Sequence, residues 1–307
     1  MNTRLQTFVA APGALRYMVQ AFRPSAGWNT SAGVPDLELV WQGFHIDQET
    51  ALSLQRGAGT GQPLAADCIA LLAPHVLGFR LSMVMLTHPG WPLPIWRALQ
   101  VRNRLQLHRP LEIGEPFTLS VAAAGWRVLE KGLEIDLRSR LLQGDQCAWE
   151  SVVTFYYRGR FGAAASSGVA LGAAPDSPLI DDAASKPVQW RTELGNRWHF
   201  GALTGDYNGL HQWNWYARRF GFPAAFAHPQ RIAAQCLARL PAPDAGPLQL
   251  DLWIKGPVFY GSEVTLRQSL RPAPAGRDFA LTMMGENRSA LLGSLRTQAL
   301  TPRSDPA

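Results

Sequence analysis

Hydrophobic and polar positions along this chain alternate in short runs separated by proline and glycine, a pattern that reads as antiparallel strands joined by tight turns. Two passages are alike. RLQLHRPLEIGEPFTLSV begins at Arg104 and DLWIKGPVFYGSEVTLRQ at Asp251, each reading as strand, Pro/Gly turn, strand. At the offset that carries Arg104 onto Asp251, Pro110 meets Pro257, Gly114 meets Gly261, Thr118 meets Thr265 and Leu119 meets Leu266. At the same offset Leu105 meets Leu252 and Leu107 meets Ile254. An apolar stretch of helix length precedes each passage, HVLGFRLSMVMLTH from His75 and HPQRIAAQCLARL from His228. Strand-like pieces follow each: LEIDLRSRLL and CAWESVVTFYYR in the first half, DFALTMMGE and SALLGSLRT in the second. One helix followed by an antiparallel meander, twice over, predicts an α+β protein built by duplication.

The stretch Gly159–Pro187 is rich in Ala, Gly, Ser, Asp and Pro and has no period, so it reads as a linker. The expected division is a first domain over 1–158, a linker over 159–187 and a second domain over 188–307. With 307 residues, 47% hydrophobic and 17% charged, the chain has ample material for a core and is not of disordered composition. Its 11 tryptophans are expected as core or interface anchors, with a few lining an apolar pocket.

The formal net charge of +6 comes from scattered residues with no basic block, which makes nucleic acid the weakest candidate partner. Cys68, Cys147 and Cys236 are far apart and form no CxxC pair, which argues against structural zinc and for a reducing compartment. The first residues lack a signal-peptide h-region, and no run of 18 apolar residues is present, so no membrane span is expected and the cytoplasm is the default.

The densest chemistry lies in LTGDYNGLHQWNWYA, Leu203–Ala217, where Asp206, Asn208 and His211 fall inside six residues, with glycines at Gly205 and Gly209. On one continuous helix Asp206 and His211 would face apart. A turn through Gly209 brings them together, and a carboxylate beside an imidazole can hold and activate one water near neutral pH. Ordinary turn chemistry is the competing reading, because Asp, Asn and Gly are common turn residues. SLQRGAGTGQPLAADC occupies the corresponding place in the first half with a similar glycine rhythm but no such polar set, so one site per chain is expected. GAGTG at Gly57–Gly61 lacks the spacing of a nucleotide loop, and no G-x-S-x-G nucleophile motif is present.

The wider stretch resembles the motif of the MaoC-like dehydratases, the R-specific enoyl-CoA hydratases. It carries Phe200, Thr204, Gly205, Asp206, Asn208, Gly209, Leu210, His211 and Ala217 in the family's order, and GFPAAFAHPQRI from Gly221 is similar to the start of the family's central helix. PHVLGFRLSMVMLTH and RALQVRNRL also look like the first half of two-domain members. The resemblance implies a double hot-dog fold, two repeats each with a central helix wrapped by an antiparallel sheet. The repeats would pair as a pseudo-dimer within the chain, with a homodimer of such chains also open. It implies reversible syn hydration of a trans-2-enoyl thioester to a (3R)-3-hydroxyacyl thioester carried on CoA or acyl carrier protein. Asp206 and His211 would activate water, with Asn208 and Gly205 in support. Trp213 and Trp215 are placed at the acyl pocket, and no metal or other cofactor is implied.

Two departures stand out. Gly209 replaces the family's proline, which should loosen the loop. Pro229 replaces the glycine whose N–H serves the thioester carbonyl, and proline has no N–H to give. Gln230, by backbone or side chain, is the expected replacement in the thioester region formed with His228 and Pro229. His75 and His228 are otherwise expected to cap or pack. An acyl-CoA thioesterase and a non-catalytic acyl-CoA or acyl-carrier-protein binder stay open as alternatives.

Overall fold

A computed structural model describes residues 3–168, 186–244, 246–271 and 275–298. The expected linker therefore falls largely outside the described residues; the part that lies within them includes a short strand, β7 (Ala165–Ser167), that pairs with β4 (Phe117–Leu129).

The alternating passages are strands. β3 (Leu99–Leu107), β4, β5 (Gly132–Gln143) and β6 (Gln146–Arg158) form the first meander, and β9 (Leu248–Ile254), β10 (Glu263–Arg271), β11 (Gly276–Met283) and β12 (Ser289–Thr297) the second. β5 shows why: Leu133, Ile135, Leu137 and Leu141 point into the core while Arg138 and Arg140 face out. Gly114 and Gly261, matched in the two passages, both adopt the left-handed conformation at φ 99 and 83.

The strands form one sheet in the order β1-β2-β4-β5-β6-β3-β9-β12-β11-β10-β8. β1 is Arg4–Phe8, β2 is Leu37–Phe44 and β8 is Val188–Arg191. The two meanders meet where β3 runs antiparallel to β9, with Arg104 directly opposite Asp251. Those two residues form an ion pair at 2.6 Å, with the Asp251 side chain only 3% exposed.

Helical structure in the first half begins earlier than the apolar stretch from His75 suggests. α3 covers Ala66–Leu77 and α4 Phe79–Leu86, with Pro74 and Gly78 interrupting the run. Ala66–Leu86 is apolar enough to cross a membrane by composition, with hydropathy 1.8, but 67% of it is buried against the rest of the protein. α3 packs on β3, β6 and β9, and α4 on β2 and β4, which accounts for that hydropathy as core. In the second half α7 (Pro229–Leu237) starts one residue after His228 and is buried along its length, with proline in the first turn where no N–H is needed. α1 (Ala14–Gln20), α2 (Gln48–Ala58), α5 (Arg197–Thr204) and α6 (Asn214–Arg219) complete the helices.

Candidate active site

The polar cluster is made by a helix end. α5 terminates at Gly205, whose φ of 73 places it in the left-handed region and turns the chain sharply. A side chain there has no room: a Cβ would lie 2.3 Å from the Tyr17 hydroxyl and 2.6 Å from Arg80 Cγ. Tyr17 Oη donates to the Gly205 carbonyl at 2.7 Å, and Arg80 donates to the Ala202 carbonyl, so two first-half residues brace the turn. Asp206 follows, its Oδ1 accepting from the Asn208 N–H at 3.0 Å. Asn208 Oδ1 accepts from the Leu210 N–H at 3.1 Å and caps a single 3-10 turn, Gly209–His211.

Hydrogen bonding fixes the His211 tautomer. Its Nδ1 lies 2.9 Å from the Phe226 carbonyl, which can only accept, so Nδ1 carries the proton and Nε2 presents a lone pair when the ring is neutral. Nε2 stands 3.8 Å from Asp206 Oδ2, beyond direct hydrogen bonding. Two acceptors at that separation suit one bridging water that donates to both.

His228 completes the group. Its Nε2 donates to the Asp206 backbone carbonyl at 3.2 Å and lies 3.7 Å from Asp206 Oδ2. Its ring stacks on His211 with centroids 3.8 Å apart. Burial, reinforced by neighbouring His211, pushes the His228 pKa well below its usual value, so it is a neutral donor that holds the Asp206 main chain. Although His228 stands at the N-cap of α7, its side chain makes no capping bond, and its buried Nδ1 has no partner.

Gly209, expected to loosen the loop, sits in a closely packed turn. It is buried, and the Tyr216 ring packs so closely that a Cβ would meet it at 2.6 Å. An aromatic ring thus supports the turn where the resembled motif has a proline.

The cluster opens on a cavity of about 640 Å³, lined mostly by apolar residues of both halves. Phe79, Met83 and Leu86 of α4 face it from one half, Phe222, Phe226 and Ile232 from the other, and Met18 and Phe22 from the N-terminal segment. Asp206, Asn208, His211, Pro229 and Gln230 all line it. Trp213 lines it too, but Trp215 does not: it is 63% exposed and only touches Trp213 and Tyr216 from outside. Its placement at the acyl pocket is therefore corrected; Trp213 precedes α6 and Trp215 lies in its first turn, its ring on the more exposed side of Trp213.

Asp206, His211 and His228 have the composition of a two-histidine, one-carboxylate metal site, with ligand atoms within 4.8 Å of one another. Both Nε2 atoms approach the same Asp206 oxygen, at 3.8 and 3.7 Å, while His228 Nε2 already donates to the Asp206 carbonyl. His108, Cys147 and Glu150 form a second group within 4.8 Å, away from the cavity lining.

The fold is the double hot-dog fold of solved MaoC-like dehydratases. No family model matches the sequence. Over 181 residues the chain is 28% identical to 3-hydroxyacyl-thioester dehydratase X of Mycobacterium tuberculosis, a span of 58% of this chain and 62% of that protein. The crystal structure of HtdX from the same organism superposes with a TM-score of 0.67 at 22% identity, covering 85% of this chain and 100% of the other. A MaoC-like dehydratase from Phytophthora capsici gives a TM-score of 0.70 at 16% identity, over 90% of this chain and 100% of that one. The resemblance read from Phe200–Ala217 is borne out by these likenesses.

Proposed function

We propose that this chain is a hydro-lyase that adds water to a trans-2-enoyl thioester, or removes it from the (3R)-3-hydroxyacyl thioester, with Asp206 and His211 as the acid–base pair. The observation that carries the reading is the Asp206 carboxylate facing a lone pair on His211 Nε2 across a water-sized gap, at the wall of a large apolar cavity.

A water donating to both groups is made nucleophilic as they draw on its protons. Its oxygen bonds to C3 of the enoyl chain while the C2–C3 π electrons move toward the thioester, placing negative charge on the carbonyl oxygen. The proton taken from the water is delivered to C2 from the same side, giving syn addition with all atoms of water in the product. Asn208 holds Asp206 through its main-chain N–H, and Gly205 permits the turn that aims both. The acyl chain lies among Phe79, Met83, Phe222 and Ile232, with Trp213 at the wall. The thioester sits near His228, Pro229 and Gln230, and the carrier is CoA or acyl carrier protein. In this reading the halves 1–158 and 188–307, joined by the linker 159–187, pair as an internal pseudo-dimer with one working site. The 28% identity to a named thioester dehydratase supports the chemistry.

Loss of enoyl absorbance on adding protein to crotonyl-CoA and longer trans-2-enoyl-CoAs tests this. Turnover that disappears in Asp206→Asn is expected. Binding without turnover would instead favour an acyl-carrier binder, for which Pro229 is the relevant observation, and release of free thiol would indicate a thioesterase.

A further inference from the structure

We propose that Gln230 donates a side-chain N–H to the thioester carbonyl oxygen, and that Gln100, Asn103 and His75 of the first half aim its carboxamide through a buried hydrogen-bond relay. This rests on the hydration reading above.

Addition at C3 charges the carbonyl oxygen, and a fixed donor aimed at that oxygen is among the largest contributions a site can make. On the cavity wall at the start of α7, residue 229 is a proline with no N–H. Gln230 is next, 2% exposed and facing the same cavity as Asp206 and His211. Its Nε2 donates one N–H to Gln100 Oε1 at 3.2 Å, which leaves the second N–H for a ligand.

Gln100 is held in turn: its Nε2 donates to Asn103 Oδ1 at 2.7 Å. Asn103 is fully buried, and its Nδ2 stands 3.4 Å from His75 Nε2. Burial pushes the His75 pKa down to about 4, so the ring is neutral and Nε2 can accept. Every amide therefore faces the same way, nitrogen toward the first half. Turning the Gln230 amide over would set its oxygen against Gln100 Oε1, acceptor against acceptor. Three of these polar side chains, His75, Asn103 and Gln230, are buried, with Gln100 half-buried between them; buried polar groups cost free energy unless bonded, so a chain of this kind specifies one orientation. His75 and Asn103 touch no ligand; they are positioning residues.

Steady-state kinetics with a trans-2-enoyl-CoA on full-length protein decide the matter. Gln230→Ala and the near-isosteric Gln230→Met should lower kcat by about 10²–10³ with KM changed only a few-fold. Gln230→Glu should be equally impaired at pH 7.5 yet regain activity relative to wild type as pH falls and its carboxyl becomes an O–H donor, which a packing defect would not do. Asn103→Leu should lower kcat about 10-fold in wild type and leave Gln230→Met unchanged, the coupling expected of one relay. Wild-type-like kcat in folded Gln230→Met alongside an inert Asp206→Asn would overturn the donor role and leave hydration standing. Additive Asn103→Leu and Gln230→Met effects would overturn the relay. A wild type inert on every enoyl-CoA would remove the hydration reading and this one together.

Discussion

The loop after Gly205 and the loop after Gly59 start from the same geometry and arrive at different chemistry. Both follow a helix that ends on a left-handed glycine, φ 73 and φ 64. The next residue is Asp206 in one and Thr60 in the other; the sixth is His211 in one and Ala65 in the other. Asp206 turns one carboxylate oxygen toward His211, whereas the Thr60 hydroxyl folds back on the Gln62 carbonyl at 2.6 Å. Each loop is braced from the opposite half. Arg80 and Tyr17 reach Ala202 and Gly205, while Arg231 and Gln235 both donate to the Ala58 carbonyl. The turn is common to both. What separates them is the polar pair, which lines the cavity.

The sharpest test exchanges chemistry within that shared frame. Asp206→Asn should cut enoyl-CoA hydration by about 10³-fold with thermal stability nearly unchanged, and His211→Ala should cut it as far while also lowering stability, because a buried ring is lost; Thr60→Ala should leave turnover within two-fold, against the loss expected for an acid–base group. Comparable losses from Thr60→Ala would mean that the first-half loop is also at work.

The buried histidines give a pH test. His75 titrates near 4 when folded and near 6.5 when unfolded, so the unfolded chain binds more protons between those values and stability falls as pH drops through that window. The loss attributable to His75 is about 3 kcal/mol by pH 4. His228, depressed for the same reason, adds to the slope in the same direction. Denaturant melts of His75→Leu at pH 7 and pH 4.5 should show a flatter dependence than wild type; an unchanged slope would assign the acid sensitivity elsewhere.

Gly205→Ala should lower kcat by 10-fold or more, because the added methyl meets Tyr17 and Arg80 at 2.3 and 2.6 Å and displaces Asp206. At Gly59 the nearest group is the end of Arg231 at 3.2 Å, so Gly59→Ala should cost only the left-handed strain, about 1–2 kcal/mol, and spare kcat. Equal kinetic effects would argue that the brace is immaterial. The mildest contrast is between tryptophans. Trp213→Ala should raise KM for longer acyl chains several-fold, while Trp215→Ala should leave the chain-length profile as it was.

Much of this was legible in the sequence because it is local. Period-two alternation gives strands such as β5, and the Asp206–His211 spacing with its glycines gives the turn. What escaped is non-local. Tyr17 meets Gly205 across 188 residues of sequence and Gln230 meets Gln100 across 130, separations that leave no pattern to read. His228 followed an alanine and opened an apolar run, so its sequence context spoke for packing; its stacking on His211 exists only once α7 lies beside the loop. Trp215 was misplaced because helix spacing separates two rings without saying which one faces the cavity. The start of α3 was missed because Pro74 and Gly78 disguise one long apolar run as a later, shorter one.

The ion pair at the seam of the sheet has a consequence for how the two halves meet. Arg104 and Asp251 occupy matching places in the two meanders and sit opposite each other. Were the halves identical, each would confront its own copy there, cation against cation or two nearly dry carboxylates face to face. The unlike couple at that central position satisfies both charges because the two meanders carry different residues there.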